Sequence, residues 1–426
     1  MPNLLLIAYY WPPSGGAGVQ RWLKMTYYLA EAGVDVHVLT LRAEEASYPH
    51  RDDSLLADVH PRVTVHRTSS FEPIQIYSRL AGKDKVPAGG FANAGTGGWK
   101  QDLVMRLRTH LFIPDPRKYW KQYALPAARK IIAEYGITNV ITTSTPPSVH
   151  LIGRALKRET GVRWIADFRD PWTDIYYYPL LLHSKLSAAL DRRYERAVLR
   201  EADHVTTVSA GFRRHLAAKV PERSAGDITI VPNGYDPRDF AAPLDLPPAP
   251  GFTVGYTGTM SDQYTPEPFL RALAAAVAAR PAAGVRLEVV GQISPGIRQT
   301  IAELGIPLDL VATVPHDRIT HYQRRADALF LALPQVVGGE GILTGKLYEY
   351  LAAGRPIIAL GIPGAEVGQV LADTGAGRAF RNEEQAAMTD YLLGLIDGSV
   401  PFAPDPAAVG AYSRARQAAQ IQKLLR

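Results

Sequence analysis

The chain has 426 residues, of which 46% are hydrophobic and 21% charged, so it is too long for one core and too apolar for a disordered protein. Its formal charge of +6 at pH 7 is spread without long basic runs, which argues against nucleic acid as a partner. Because it has no cysteine, disulfides, thiolate nucleophiles and cysteine metal sites are excluded. The apolar run at 4–8 is too short for a signal peptide, and no run approaches the roughly 20 residues of a membrane span. We therefore expect a cytoplasmic protein, at most peripheral at the inner membrane surface.

The first half of the chain alternates short apolar runs with segments of helical spacing. Strands are predicted in NLLLIAYY, VDVHVLTL, VTVHRT, NVITTS, RWIADF and HVTTVS, and helices over 19–32 and 123–135. Alternating strands and helices are typical of a parallel sheet that is covered on both faces. The fold class predicted for this half is therefore α/β.

A proline-rich stretch divides the chain, and the same alternation starts again after it. The later strands are predicted in FTVGYTG, VRLEVVG, LDLVATV, ALFLAL and PIIAL. Clustered proline, glycine and aspartate are typical of a linker. The sequence thus predicts a first domain over 1–235, a linker over 236–250, a second domain over 251–405 and a final amphipathic helix over 406–426.

One segment has no periodicity at all. The stretch from Ala81 to Lys100, AGKDKVPAGGFANAGTGGWK, is rich in glycine and alanine. Two interpretations stay open, a mobile insertion or a loop that closes over an acceptor.

The first stretch with chemical content is WPPSGGAG, which lies between a predicted strand and a predicted helix. Its glycines do not fit the dinucleotide fingerprint, because counting from Gly16 places Gly18 correctly but puts Arg21 where the last glycine is required. A strand, a glycine turn and a helix N-terminus still suit an anionic ligand. We expect Gly15 and Gly16 to line a site, whereas Arg21 and Lys24 either add charge or form a solvated face.

The stretch RWIADFRDPWTDIYYYP places charged groups directly after a predicted strand. Ligands of open α/β sheets bind at the carboxyl ends of strands, which is where Asp167, Arg169 and Asp170 fall. The aspartates suit sugar hydroxyls and the arginine suits phosphate. The alternative is a local ion-pair cluster without contact to a ligand.

The stretch GGEGILTGKLYEYLAAGRPIIAL predicts a helix that starts at Thr344 or Gly345 and ends at Gly354. Lys346 and Glu349 are three residues apart and share one face of that helix. A cation at the helix start suits a diphosphate, and an acid one turn later suits ribose hydroxyls. The segment is not a Walker A loop, because its glycines are one residue too close and Leu347 replaces the magnesium-binding Ser or Thr.

At these residues the chain resembles the retaining nucleotide-sugar glycosyltransferases of the glycosyltransferase family 4 type, which have the GT-B fold. The resemblance covers most of the chain, from Tyr9 to Ile358, in the family's order. It rests on WPPSGGAGVQRW, IADFRDPW, YERAVLREADHVTTVS, VPNGYDPRDF, VGYTGTM, YQRRADALFLALP and GKLYEYLAAGRPII. It implies two Rossmann-like domains that face each other across a cleft, with the nucleotide held mainly by the C-terminal one.

The resemblance also implies roles for individual residues. Glu349 matches the acid that binds the nucleotide ribose, and Lys346 matches a cation near the diphosphate. Gly15 and Gly16 match the N-terminal glycine loop, and Gly258 with Thr259 match the loop after the first strand of the second domain. The resemblance further implies that no metal or other cofactor is needed and that the final helix returns to the first domain.

The sequence departs from the family pattern at two places. The acid that contacts the transferred sugar would lie eight residues before Glu349, where this chain has Gly341, with Glu340 beside it as the candidate. The loop after the first strand of the second domain carries Asp262 and no cation. The cations left to neutralise a diphosphate are Lys346, Arg169, Arg21 and Arg298.

The function expected from this resemblance is transfer of a sugar, with retention, from a nucleotide diphosphate to an acceptor hydroxyl in glycan or glycoconjugate biosynthesis. Asp170 is the candidate for acceptor contact or general base, with Asp167 and Arg169 beside it. Two alternatives remain, a nucleotide-sugar epimerase of the same fold and a binding protein without catalysis. The donor base, the sugar and the acceptor, whether glycan, lipid-linked or small molecule, stay open. The stretch from Arg106 to Tyr123 is either a lipid contact or a solvated segment.

Overall fold

The computed structural model describes residues 2–46, 48, 50–72, 109–334, 336, 339–361 and 365–426. The chain forms two compact units, one of Met1–Pro232 with Gln417–Arg426 and the other of Asn233–Arg416. Each unit carries its own parallel β-sheet covered by helices. The insertion expected over 81–100 lies outside the described residues.

The N-terminal unit has, among its described residues, a seven-stranded parallel sheet in the order β3-β2-β1-β4-β5-β6-β7. All six strands predicted for this half are confirmed. The sequence reading missed the last strand, β7, because it is only three residues long. The strands are β1 (Asn3–Ile7), β2 (Asp35–Leu41), β3 (Thr64–Thr68), β4 (Asn139–Thr143), β5 (Arg163–Phe168), β6 (His204–Thr207) and β7 (Ile228–Ile230).

The helices of this unit connect successive strands and cover both faces of the sheet. Both predicted helices are confirmed, each starting two residues before its predicted first residue. The described helices are α1 (Ala17–Glu31), α2 (Lys121–Tyr135), α3 (Ser148–Thr160), α4 (Lys185–Glu201) and α5 (Ala210–Ala218).

The core of this unit has two layers, one on each side of the sheet. Successive side chains of a strand point to opposite faces, so Leu5 and Ile7 of β1 join one apolar cluster whereas Leu4 and Leu6 join the other. All four are fully buried. Burial on both faces explains why this strand reads as a continuous apolar run rather than as an alternation.

The C-terminal end of the chain belongs to the N-terminal unit. The backbone oxygen of Leu424 accepts a hydrogen bond from Arg163 at 2.9 Å, and that of Arg426 accepts one from Asn139 at 3.1 Å. Ala418 and Ile421 are buried in the same apolar layer as Leu4. The single helix predicted over 406–426 is two helices, α12 (Pro406–Gly410) and α13 (Arg414–Gln422).

The C-terminal unit has a parallel sheet of six described strands in the order β10-β9-β8-β11-β12-β13. The five predicted strands are confirmed, whereas β13 was not predicted from the sequence. The strands are β8 (Thr253–Met260), β9 (Arg286–Ile293), β10 (Leu308–Val311), β11 (Ala328–Ala332), β12 (Ile357–Leu360) and β13 (Gly377–Phe380). The remaining helices are α6 (Glu267–Ala279), α7 (Pro295–Glu303), α8 (His316–Arg325), α9 (Gly345–Ala353), α10 (Glu366–Thr374) and α11 (Gln385–Ile396).

The strand order of each sheet reverses once. In the N-terminal unit the reversal lies between β1 and β4, and in the C-terminal unit between β8 and β11. Connections leave such neighbouring strands in opposite directions and open a crevice at their carboxyl ends, where open α/β sheets bind ligands. Each unit therefore has one edge at which a site is expected.

Candidate functional site

The glycine loop of the N-terminal unit lies at the carboxyl end of β1. Gly16 precedes α1 with φ at 101°, a conformation that favours glycine, and it is exposed. Gly15 donates its backbone N–H to His50 at 3.1 Å. No described side chain caps α1, so its first N–H groups lack the usual side-chain acceptor there.

Asp167, at the carboxyl end of β5, is fully buried and surrounded by donors. Its carboxylate accepts hydrogen bonds from Arg21 at 2.9 Å and Trp22 at 2.7 Å, both on α1, and from Thr143 at 2.9 Å and Thr206 at 2.8 Å. Burial opposes ionisation, but the charge of Arg21 and these hydrogen bonds outweigh it and lower the pKa of Asp167. This placement favours a positioning role over contact with a substrate.

The side chain of Arg169, which directly follows β5, reaches the start of α1. Its Nε donates to the backbone oxygen of Ser144 at 2.6 Å, and its guanidinium carbon lies 3.0 Å from where a Cβ on Gly18 would stand. Among the described residues it has no carboxylate within ion-pair distance. A cation held against a helix N-terminus is unfavourable unless an anion joins them. Arg169 is therefore placed to bind an anionic group.

Asp170 lies beside two tyrosines that follow it in the sequence. Burial raises the pKa of Asp170, opposed by the charge of Arg169. Burial raises the pKa of Tyr177 as well, with the charge of Asp170 adding to it. A carboxylate with a raised pKa accepts a proton more readily, as a general base does.

Two residues of this edge were not selected as site residues from the sequence. The Arg117 guanidinium lies 5.6 Å from the ring centroid of Tyr9 and 5.9 Å from that of Tyr10. Tyr10 lies three residues after the end of β1, and the charges of both Arg117 and Arg169 counter the rise that burial gives its pKa. The mixture of cations and aromatics in Arg106 to Tyr123 was the only sequence signal, and residues 106–108 lie outside the described part.

In the C-terminal unit, glycines at the ends of β8 and β9 open the edge of the sheet. Gly258 has φ at 104° and Gly291 has φ at 133°. A Cβ on Gly258 would lie 3.0 Å from Nζ of Lys346. The glycine thus lets the lysine of α9 lie over the end of β8.

Among the described residues, Lys346 is held by a tyrosine hydroxyl rather than by an acid. Its Nζ donates to the Tyr256 hydroxyl at 2.7 Å and lies 4.2 Å from the centroid of that ring. The Tyr256 hydroxyl in turn donates to the backbone oxygen of Thr259 at 2.8 Å. Burial lowers the pKa of Lys346 to about 8, with the charge of Glu349 opposing the fall. The lysine is therefore still mostly protonated at neutral pH.

Glu349 lies one turn after Lys346 and is oriented from a different helix. Its Oε2 accepts a hydrogen bond at 2.9 Å from Gln323 of α8, a buried side chain that also donates to Thr257 at 3.2 Å. Its Oε1 has no partner among the described residues. Because one oxygen is fixed and the other free, Glu349 can accept a hydrogen bond from a ligand hydroxyl.

The start of α9 is not capped. Thr344 precedes the helix, yet its side chain makes no capping hydrogen bond, and its Oγ1 is buried without a partner among the described residues. The first N–H groups of α9 are left available beside Lys346, an arrangement that suits an anion.

The other predicted donor-side residues are spread around this edge. Thr259 is exposed in the last part of β8, and Glu340 lies in the short turn Gly339–Gly341, its side chain outside the described part. Asp262 accepts a hydrogen bond from Ser294 at 2.5 Å, which fixes it beside α7. Arg298 is exposed on α7, whereas Arg21 forms the buried ion pair with Asp167.

Within the described residues, no group of three or more His, Asp or Glu side chains is arranged to hold a metal ion. In the same residues, no helix is both long and apolar enough to cross a membrane.

Family comparisons cover both units. A family profile described as a glycosyl transferase 4-like domain matches residues 15–234, and one described as glycosyl transferases group 1 matches residues 251–397. The chain belongs to the glycosyl transferase 4-like family. It is a glycosyltransferase by family, as the sequence reading predicted. No curated protein matches the sequence.

Solved structures of the same architecture identify the fold as GT-B. Sucrose-phosphate synthase from Thermosynechococcus elongatus is 15% identical, with 100% of this chain and 98% of that one covered at a TM-score of 0.58. An α,α-trehalose-phosphate synthase (UDP-forming) from Burkholderia xenovorans is 12% identical, with 99% of each covered at 0.61. WaaG, a glycosyltransferase involved in lipopolysaccharide biosynthesis, is 13% identical, with 99% and 95% covered at 0.51. At these identities the likeness shows the fold alone.

The buried ion pair of Asp167 allows a test of its role. Replacing Asp167 with Asn leaves the guanidinium of Arg21 buried without its charge partner, so we expect a loss of about 3 to 5 kcal/mol in the free energy of unfolding. Denaturant unfolding measures the change.

Asp170→Asn is the matched control, because its side chain makes no hydrogen bond to the described residues. We expect it to unfold within about 1 kcal/mol of wild type. Equal stability of the two variants would contradict the positioning role of Asp167.

Proposed function

We propose that the protein transfers a sugar from a nucleoside diphosphate donor to an acceptor hydroxyl with retention of the anomeric configuration, in glycan or glycoconjugate biosynthesis. The observation that carries the proposal is the pair on α9, where Lys346 and Glu349 share one face at the carboxyl end of β8. Among the described residues, one is a half-buried cation without a carboxylate partner, and the other is an acid with one oxygen that accepts no hydrogen bond.

The two residues fit two parts of the donor. The N–H groups at the start of α9 and the ammonium of Lys346 provide positive charge for the diphosphate. Glu349, held by Gln323, accepts hydrogen bonds from the ribose hydroxyls. Charge develops on the leaving diphosphate as its bond to the sugar breaks, so fixed positive groups there lower the barrier.

We propose that this charge comes from the protein and that no metal ion or other cofactor is needed. Lys346 supports this, because it is the cation that the described structure places at the end of β8. Arg298 lies on the neighbouring α7, and Arg21 is committed to Asp167.

The acceptor side of the proposal lies in the N-terminal unit. Asp170 has the raised pKa of a carboxylate that can take the proton of an acceptor hydroxyl, and Arg169 has a free charge for an anionic group. Asp167 holds these two in place by fixing the end of β5. The aromatic rings of Tyr10 and Tyr177 suit the faces of a sugar.

Family likeness supports retention and gives the first donor base to try. The Burkholderia structure is described as UDP-forming, so uridine diphosphate sugars come first, followed by guanosine and thymidine diphosphate sugars. The acceptor class remains to be chosen among glycans, lipid-linked sugars and small molecules.

The test is a panel of nucleotide sugars with the purified full-length chain in EDTA, with and without a mixture of acceptors. We expect nucleoside diphosphate release from one donor, accelerated by an acceptor, and a product of retained configuration by NMR. Heat-denatured protein is the control. Nucleotide binding without turnover would contradict catalysis, and sugar release without acceptor dependence would favour an epimerase.

Removing the acid of α9 tests donor binding directly. We expect Glu349→Ala to weaken binding of the nucleoside diphosphate by about 1 to 3 kcal/mol, the scale of lost charge-assisted hydrogen bonds. Calorimetry measures it, and Glu303→Ala, on an exposed acid of α7, is the control. Unchanged affinity in Glu349→Ala would overturn the ribose assignment.

Lys346 predicts a pH dependence of nucleotide binding. Only its protonated form attracts the diphosphate, and its pKa in the free protein is about 8. We therefore expect affinity to fall as pH rises through the region of that pKa, by calorimetry between about pH 7.5 and 9.5. Lys346→Met should bind weakly at every pH. A wild-type affinity that does not change over this range would contradict the role of the lysine.

A further inference from the structure

The outer side of α4 in the N-terminal unit is a continuous basic surface. Residues 185, 189, 192, 196 and 200 recur at spacings of three or four, and residue 193 adjoins them, so that all six lie on one side of this helix. All six are exposed. The basic surface is defined here as Lys185, Arg192, Arg193, Arg196 and Arg200.

Two of the three acids of the same helix, Asp191 and Glu195, do not reach this surface. Asp191 accepts hydrogen bonds from Trp172 and Tyr178, and Glu195 pairs with Lys219 at 2.6 Å. Both side chains are buried. The fold thus buries two of the acids of α4 and leaves its cations outside.

Most of these cations are not neutralised by neighbouring elements. Arg200 pairs with Glu222 at 2.5 Å, and Glu201 is occupied by two arginines of α3. In the described part of the chain, Lys185, Arg192, Arg193 and Arg196 have no carboxylate within ion-pair distance. The four arginines of this surface line one shallow concavity, and Glu201, already paired with α3, lies at the same concavity.

Exposed leucines adjoin the N-terminal end of the basic surface. Leu186 of α4 is 78% exposed, and Leu180, just before it, is 56% exposed. Leu111 is 62% exposed in a neighbouring segment. Burial and the charge of His110 both lower the pKa of His183, which places that segment beside the start of α4.

We propose that this surface binds an anionic lipid bilayer. Unpaired cations meet lipid phosphates, while the leucines enter the boundary between headgroups and acyl chains. Leucines give nucleic acid no hydrogen-bonding or stacking partner, so the lipid surface fits the combination better. The inference rests on the proposed function and deepens it, because a protein held at a bilayer is suited to a lipid-linked acceptor.

The experiment compares binding of the full-length protein to vesicles of phosphatidylcholine alone and of phosphatidylcholine mixed with phosphatidylglycerol. We expect sedimentation with the anionic vesicles only, weakened by added salt because exposed charges are screened. Absence of binding to the anionic vesicles would overturn the proposal.

Substitutions locate the surface. We expect the triple variant Arg192→Glu, Arg193→Glu and Arg196→Glu to lose about tenfold or more in partitioning to anionic vesicles. Leu186→Gln, which keeps every cation, should weaken binding by a smaller factor. A second triple variant, Arg192→Gln, Arg193→Gln and Arg196→Gln, removes the same cations without adding acids. It therefore repeats the test with less repulsion between the protein and the anionic lipids.

The matched control carries the same charge change on exposed arginines of the C-terminal unit, Arg271→Glu, Arg381→Glu and Arg416→Glu. Because the basic surface is intact in this control, we expect it to bind vesicles nearly as well as wild type. The lowered net charge should cause only a small loss of affinity. Equal loss in the two triple variants would overturn the surface assignment, as would tighter binding to a single-stranded oligonucleotide than to vesicles. Retained nucleotide binding in the α4 variants separates failure of this inference from failure of the proposed function.

Discussion

The buried ion pair between Arg21 and Asp167 fixes the functional edge of the N-terminal unit. Arg21 lies in the second turn of α1 and also donates to the backbone of Pro232 at 2.8 Å, while Asp167 is bonded to β4 and β6 through their threonines. The pair therefore joins three strand ends, one helix and the last residue of the unit's main segment. The glycine loop directly precedes α1, and Arg169 and Asp170 directly follow β5. The ion pair therefore fixes where these parts of the edge lie. Such a pair adds little net stability relative to an apolar core, but losing one partner is costly, so it acts mainly to specify position.

The C-terminal unit has the same strand order at the corresponding edge of its sheet. Its cation, Lys346, has a different kind of partner. Lys346 is bonded to a tyrosine hydroxyl, which lowers the cost of burying the amine without neutralising its charge. Burial lowers the pKa of this amine to about 8, and among the described residues it has no carboxylate within ion-pair distance. The charge of Arg21 is neutralised by Asp167 inside the fold, whereas the charge of Lys346 can still be neutralised by a ligand. The difference follows from the partner, a carboxylate in one unit and a phenol in the other.

The sequence predicted the strands well because both faces of each sheet are covered, so buried strands appear as apolar runs without alternation. It missed β7 and β13, which are short and carry polar residues. Among site residues, Lys346 and Glu349 could be placed on one face because they share a helix. Asp167 could not be distinguished from Asp170, because its partners lie 146 and 39 residues away in sequence. Tyr256 and Gln323 were missed for the same reason: each reaches α9 from another element, and no local pattern indicates such a contact.

Burial decides what each charge of this protein can do. Fully buried charges such as Asp167 and Glu195 are matched by partners and serve the fold. Half-buried charges such as Lys346 and Arg169 have no carboxylate partner in the described part of the chain, so a ligand can neutralise them. The exposed arginines of α4 look scattered in the sequence, where Asp191 and Glu195 alternate with them, which is why the overall charge gave no sign of a basic surface. Folding turns those acids inward and so converts a mixed sequence into a surface of one sign. The charge that matters for a partner is the charge left outside after the helix has packed, and it differs from the charge counted along the chain.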